Sequence, residues 1–172
     1  MLNKQIIKKE KNLTFGNYLK IMNNSRSFIV GIKSTKLSSK EKNFIKRYRP
    51  WGIILFTMNI KNIQQTQKLT SEIRKIFNDK KYPILIDQEG GRVNRLKNLI
   101  SFDNLTSEFF GKKFIKNYLE FTTYYNLFID KTSYLLRLIG VNINTCPVLD
   151  LKIKGSSNTV SYTHLRAHET QP

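Results

Sequence analysis

Residues 84–95 read Ile84-Leu85-Ile86-Asp87-Gln88-Glu89-Gly90-Gly91-Arg92-Val93-Asn94-Arg95. Pro83 precedes three aliphatic residues, and the run ends in a carboxylate. A short apolar run bounded by turn residues reads as a buried strand. The Gly90-Gly91 pair then turns the chain tightly, and Arg92 and Arg95 follow within a few residues. In α/β folds, ligands bind beyond the carboxyl ends of the strands, where loops of this kind gather. Carboxylates accept hydrogen bonds from hydroxyls and arginine donates in a fixed fork, so the loop holds the groups that a sugar needs. The same residue types equally suit an Asp-Arg ion pair bracing a turn.

Outward from this strand the chain alternates between two periods. Ser27 to Gly31 is a short apolar strand candidate. Ser38 and Glu41 have capping-box spacing, and Phe44, Ile45 and Tyr48 share one helical face, with Pro50 ending that helix. Trp51 to Phe56 reads as a fully buried strand. Asn62 caps a second helix, in which Ile63, Leu69, Ile73, Ile76 and Phe77 keep helical spacing. After the polar, glycine-containing loop, a long helix is expected from about Asn117 to Ile139, closed by Gly140. Val141 to Thr145 is a fourth strand, followed by a proline and Val148-Leu149-Asp150. Continuous apolar strands alternating with amphipathic helices predict an α/β fold with a parallel sheet covered by helices. An open doubly wound sheet and a (β/α)₈ barrel both satisfy the pattern. A complete barrel takes about 250 residues, so the 172 present can hold only an incomplete one.

The net charge of +18 suggests a nucleic-acid or membrane surface as partner. The lysines, however, are scattered along the chain, and no nucleic-acid motif frames them. A general bias toward Lys, Asn and Ile accounts for the charge, so neither partner is expected. No stretch approaches the roughly 18 uninterrupted apolar residues of a membrane helix. The N-terminus lacks an apolar signal core, which predicts a cytoplasmic protein. Cys146 is the only cysteine, so no internal disulfide forms.

The last stretch changes character. Both histidines, His164 and His168, lie there with the only alanine, Ala167, and no lysine follows Lys154. The histidine spacing can place two metal ligands on one helical face, but no HExxH pattern or third ligand accompanies it, and no metal is expected. The string VSYTHLRAHET resembles the translation of a transposase sequencing adapter, so residues 160–172 are read as an assembly scar and set aside. The expected organisation is a basic leading segment over 1–25, a partial barrel over 26–159, and the scar over 160–172.

Three ordered motifs carry a family resemblance. LIDQEGGRVNR resembles the VDQEGGRVxR signature that follows the third strand in the β-N-acetylhexosaminidases of glycoside hydrolase family 3. WGIILFTMNI resembles the GGxxLFxRN segment before it, and GVNINTCPVLDL resembles GIxxxxAPVLDV after it. The resemblance covers residues 26–159. It implies the N-terminal part of a (β/α)₈ TIM-type barrel, incomplete here, from a retaining enzyme that releases terminal β-linked N-acetylglucosamine from cell-wall muropeptides without a cofactor.

By that resemblance Asp87 binds sugar hydroxyls at the pocket floor and Arg95 is a second substrate contact. Gln88, Glu89, Gly90, Gly91 and Arg92 support the loop, and Asp150 matches an aspartate read as either structural or behind the substrate contacts. Retaining glycosidases use a nucleophile and a group that serves as acid, then base. The resemblance places these in an SDD-like motif and in a KHFPGHG-like loop; neither occurs in the 172 residues. No catalytic residue is therefore assigned, and the chain alone is expected to be inactive. Met58 departs from the family's usual Arg, and a Met cannot replace a cation. Cys146 stands where the family often has Ala. The alternatives are the β-glucosidase or β-xylosidase branch of the same family, a non-enzymatic basic binding module, and an unrelated α/β enzyme.

Overall fold

The computed structural model describes residues 26–146; the leading segment, Asp150 and the tail lie outside the described residues. Four strands form one parallel sheet: β1 (Arg26–Gly31), β2 (Pro50–Leu55), β3 (Ile84–Ile86) and β4 (Ile143–Asn144), in the order β1-β2-β3-β4. The register pairs Ile53 with Ile84 and Ile86 with Asn144. Helix α1 (Ser39–Tyr48) joins β1 to β2, and α2 (Ile63–Phe77) joins β2 to β3. Helices α3 (Ser107–Lys116) and α4 (Tyr118–Leu138) fill the passage to β4. A doubly wound sheet reverses its strand order partway. Among the described residues the four strands run in sequence order without such a reversal, which is the singly wound topology of a barrel wall.

The helix ends follow their cap chemistry. Glu41 N donates to Ser38 Oγ at 3.2 Å and Ser38 N donates to the Glu41 carboxylate at 2.8 Å, the reciprocal box that the sequence predicts. Asn62 Oδ1 accepts from Gln65 N at 2.8 Å. At the end of α4, Gly140 has φ +80, its N–H donates to Arg137 O at 3.1 Å, and Val141 N donates to Leu136 O at 2.8 Å. This pair of bonds is a Schellman closure, which needs the left-handed residue that glycine supplies at no steric cost. Asn78, φ 52, closes α2 in the same manner, with its own N–H and that of Asp79 reaching back to the last turn.

The core lies between the sheet and the helices. Ile53, Leu55, Ile84 and Ile86 of the central strands meet Ile73 of α2 and Ile139 after α4, all essentially inaccessible to water. The expectation of a fully buried β2 needs correction at one end: Trp51 is 45% exposed. β1 is likewise only half covered, with Ile29 exposed, because it has a strand neighbour on one side alone among the described residues. Helix α3 forms where the sequence predicts a loop, as does a single 3₁₀ turn at Thr57–Asn59. Its seed is Phe110, which packs against Phe128 and Tyr125 of α4 at centroid distances of 5.3 and 5.0 Å. Gly111 in mid-helix weakens its local signal, so tertiary contact with α4 decides it.

Candidate functional site

β3 delivers Asp87 to the carboxyl end of the sheet, half-buried. The chain then reverses through Gly90 and Gly91, with φ +88 and +58. A Cβ on Gly90 would lie 2.2 Å from Leu105 O, and one on Gly91 would lie 2.5 Å from Thr106 Cγ2. Both the left-handed backbone and the close approach therefore demand glycine. Glu89 N donates to Val93 O at 3.1 Å and Gly91 N to Phe102 O at 2.8 Å, which ties the turn to the segment after it. The reversal returns Arg95 to Asp87: Arg95 Nη2 stands 3.7 Å from Asp87 Oδ2. That separation is an ion pair but too long for a hydrogen bond. The guanidinium lies over the Phe56 ring, 5.3 Å from its centroid, and Arg95 Nε is buried without a hydrogen-bond partner.

Gln88 is buried and holds the loop from beneath. Its Oε1 accepts from Leu96 N at 3.0 Å, and its Nε2 donates to Asn94 Oδ1 at 3.2 Å. Asn94 in turn donates to Asp103 Oδ1 at 3.1 Å. Gln88, Gly90 and Gly91 thus fix the backbone of the loop. Arg92 is exposed and Glu89 half-buried. Burial pushes the Glu89 carboxyl above its ordinary range; the Asp87 charge adds to that rise and Arg95 opposes it.

Three residues that the sequence reading did not assign complete the neighbourhood. Asn144 on β4 accepts from Gln88 N at 3.0 Å and donates to Gln88 O at 3.2 Å. Thr145 Oγ1 donates to Asp87 Oδ1. Phe56, at the end of β2, is the platform under Arg95. Nothing in the local sequence marks them, because each owes its place to pairing between β3 and a strand remote in sequence. Cys146 sits half-buried beside the loop. Burial pushes its thiol up to about 12, and the Glu89 and Asp87 carboxylates add to the rise. Met58 is 62% exposed, so it repacks no core. Among the described residues no group of three or more His, Cys, Asp or Glu side chains is gathered to hold a metal ion.

The arrangement offers an acceptor, Asp87, beside a donor, Arg95, at the open end of a parallel barrel wall. Such a pair can hold a polar ligand at the place where α/β barrels bind theirs.

The chain matches no family model. It is 33% identical over 137 residues to the β-hexosaminidase of Psychromonas ingrahamii, covering 78% of this chain and 38% of that protein. It is 28% identical over 124 residues to the β-hexosaminidase of Thioalkalivibrio sulfidiphilus, covering 72% and 35%. Among solved structures it resembles NagZ from Neisseria gonorrhoeae in complex with zinc ion, with TM-score 0.71 and 25% identity over 81% of this chain and 41% of that one. The same enzyme in complex with N-trifluoroacetyl-D-glucosamine gives a TM-score of 0.61 at 25% identity, over 80% and 41%. The chain spans about a third of the length of the curated relatives it matches. By sequence and fold together it is similar to the N-terminal part of the bacterial β-hexosaminidases and of a glycoside hydrolase family 3 β-N-acetylglucosaminidase from Paenibacillus.

Proposed function

We propose that the chain is the sugar-holding front part of a retaining β-N-acetylhexosaminidase that removes terminal β-linked N-acetylglucosamine from cell-wall saccharides in the cytoplasm. The carrying observation is the meeting of Asp87 and Arg95 at the carboxyl end of β3, with Arg95 Nε buried and unbonded. Asp87 accepts from sugar hydroxyls. Arg95, held over Phe56, donates to a sugar oxygen that bridges it to Asp87 from the open side. The likeness to an enzyme solved with N-trifluoroacetyl-D-glucosamine supports an N-acetylglucosamine-type substrate over a plain glucoside. In this reading the barrel portion corresponds to residues 26–159, and 160–172 is an assembly scar. The motifs that would carry the nucleophile and the acid-base pair do not occur in the 172 residues, and the chain alone is inactive in this reading.

The source DNA is resequenced across the codon of Thr159 and the uninterrupted frame is expressed. Hydrolysis of nitrophenyl N-acetyl-β-glucosaminide well above nitrophenyl β-glucoside is the expected result. The reverse preference moves the protein to the β-glucosidase or β-xylosidase branch. A stop codon directly after Pro172 in genuine DNA removes the scar reading and leaves a sugar-binding chain without catalytic machinery.

A further inference from the structure

We infer that Thr145 is a positioning residue of this site, and that its hydroxyl, rather than Arg95, fixes the Asp87 carboxylate in the orientation that receives the sugar. The inference rests on the hexosaminidase reading above.

A carboxylate at a strand end rotates freely unless something holds one of its oxygens. Arg95 does not hold it, because at 3.7 Å from Oδ2 it is beyond hydrogen-bonding distance. Thr145 Oγ1 does, through its contact with Oδ1. The same hydroxyl lies 3.3 Å from Ile86 O, so one proton faces two acceptors. The charged acceptor makes the stronger bond and takes it. A hydroxyl that donates its only proton keeps two lone pairs. Thr145 is exposed, so its hydroxyl oxygen remains able to accept from a ligand hydroxyl or amide N–H.

The tether is itself anchored. Thr145 N donates to Ile86 O at 3.0 Å, which continues the β3–β4 ladder one residue past β4. Next to it, the two-way bond between the Asn144 side chain and the Gln88 backbone replaces the ladder bonds that the departing loop leaves unmade. The Asn144-Thr145 dipeptide thus grips Asp87-Gln88 along its length. With Oδ1 held, Oδ2 is left toward Arg95, and the guanidinium keeps donors for the ligand.

The test uses the full-length protein from the uninterrupted gene, with Thr145→Val, Thr145→Ser and Asp87→Asn, and reads kcat, KM and inhibition by N-acetylglucosamine. Valine keeps the β-branched shape and removes the hydroxyl. The expected result for T145V is about a tenfold to hundredfold fall in kcat/KM, the range for losing one hydrogen bond to a charged group. A matching rise in the inhibition constant of N-acetylglucosamine is expected, with T145S recovering most of both. Should T145V lose its native far-UV circular dichroism, Thr145→Ala gives the same comparison with T145S. Hydroxyl-free variants within twofold of wild type overturn the tether alone. T145S as impaired as T145V also overturns it, since the hydroxyl is then not what matters. A wild-type protein that neither hydrolyses the glucosaminide nor binds N-acetylglucosamine overturns the hexosaminidase reading, and the tether's role falls with it.

Discussion

Replacing Asp87 with Asn keeps its shape and removes its charge. In the full-length protein this change is expected to lower kcat/KM for the glucosaminide by about tenfold to a thousandfold, because hydroxyls donate far more weakly to an amide oxygen than to a carboxylate. Steady-state kinetics checks it, and unchanged kinetics would remove Asp87 from the site. Cys146 makes a prediction of opposite sense. Its thiol is held up to about 12 by burial and by Glu89 and Asp87, so the reactive thiolate is scarce at neutral pH. The native chain is expected to react with a disulfide reagent many times more slowly than the urea-unfolded chain. The unfolded thiol ionises first as pH rises, so this residue's cost to the native state builds up between the unfolded value and about 12 and persists above it. Equal native and unfolded rates at pH 7 contradict the burial. Glu89 follows the same sign. Its folded value is raised, so it costs stability above the unfolded value and nothing below it. Glu89→Gln is expected to raise the melting temperature at pH 7 by about a degree or two, after discount for its partial exposure, and the gain disappears at acid pH.

At the scale of the element, the Gly90-Gly91 turn decides where Arg95 lands. Gly90→Ala meets backbone, Leu105 O, whereas Gly91→Ala meets the Thr106 side chain, and both add a positive φ that alanine resists. The expected cost is roughly 2 kcal/mol or more for Gly90→Ala and less for Gly91→Ala, by urea denaturation. Equal small costs contradict the close packing. The turn was legible in the sequence because glycine pairs announce it. The caps at Ser38, Asn62 and Gly140 were legible for the same reason: each is a local bond between residues a few positions apart. Helix α3 was not, because Phe110 gains its burial only once α4 lies against it. Nor were Asn144 and Thr145, whose partners Gln88 and Asp87 lie 56 and 58 positions away in the chain.

For the molecule as a whole, charge and apolar surface oppose each other. Among the described residues β1 and β4 each have one strand neighbour, and Ile115 and Leu119 are 68% and 77% exposed. Open edges and apolar patches favour association. The net charge of +18 resists it, and salt screens that repulsion. The 172-residue chain is therefore expected to self-associate more as salt is raised from about 0.05 to 0.5 M, read by sedimentation velocity. A basic nucleic-acid-binding module behaves in the opposite way on a DNA column, where its retention falls steeply with salt.

The alternation of strand and helix, the caps, the tight turn, and a carboxylate and two arginines at a strand end are all readable in the linear chain. These rest on periodicity and on short-range bonds, which a linear string records. It left open whether the parallel sheet was doubly wound or part of a barrel, and whether Asp87 and Arg95 brace a turn or face a ligand. Folding alone settled the strand order β1-β2-β3-β4. Only it set Arg95 on Phe56 at 3.7 Å from Asp87, and passed the holding of the carboxylate to Thr145. The physical reason is that pairing between β3 and β4 joins residues remote in sequence, and the register of that pairing, not the identity of its neighbours, chooses which side chain meets which.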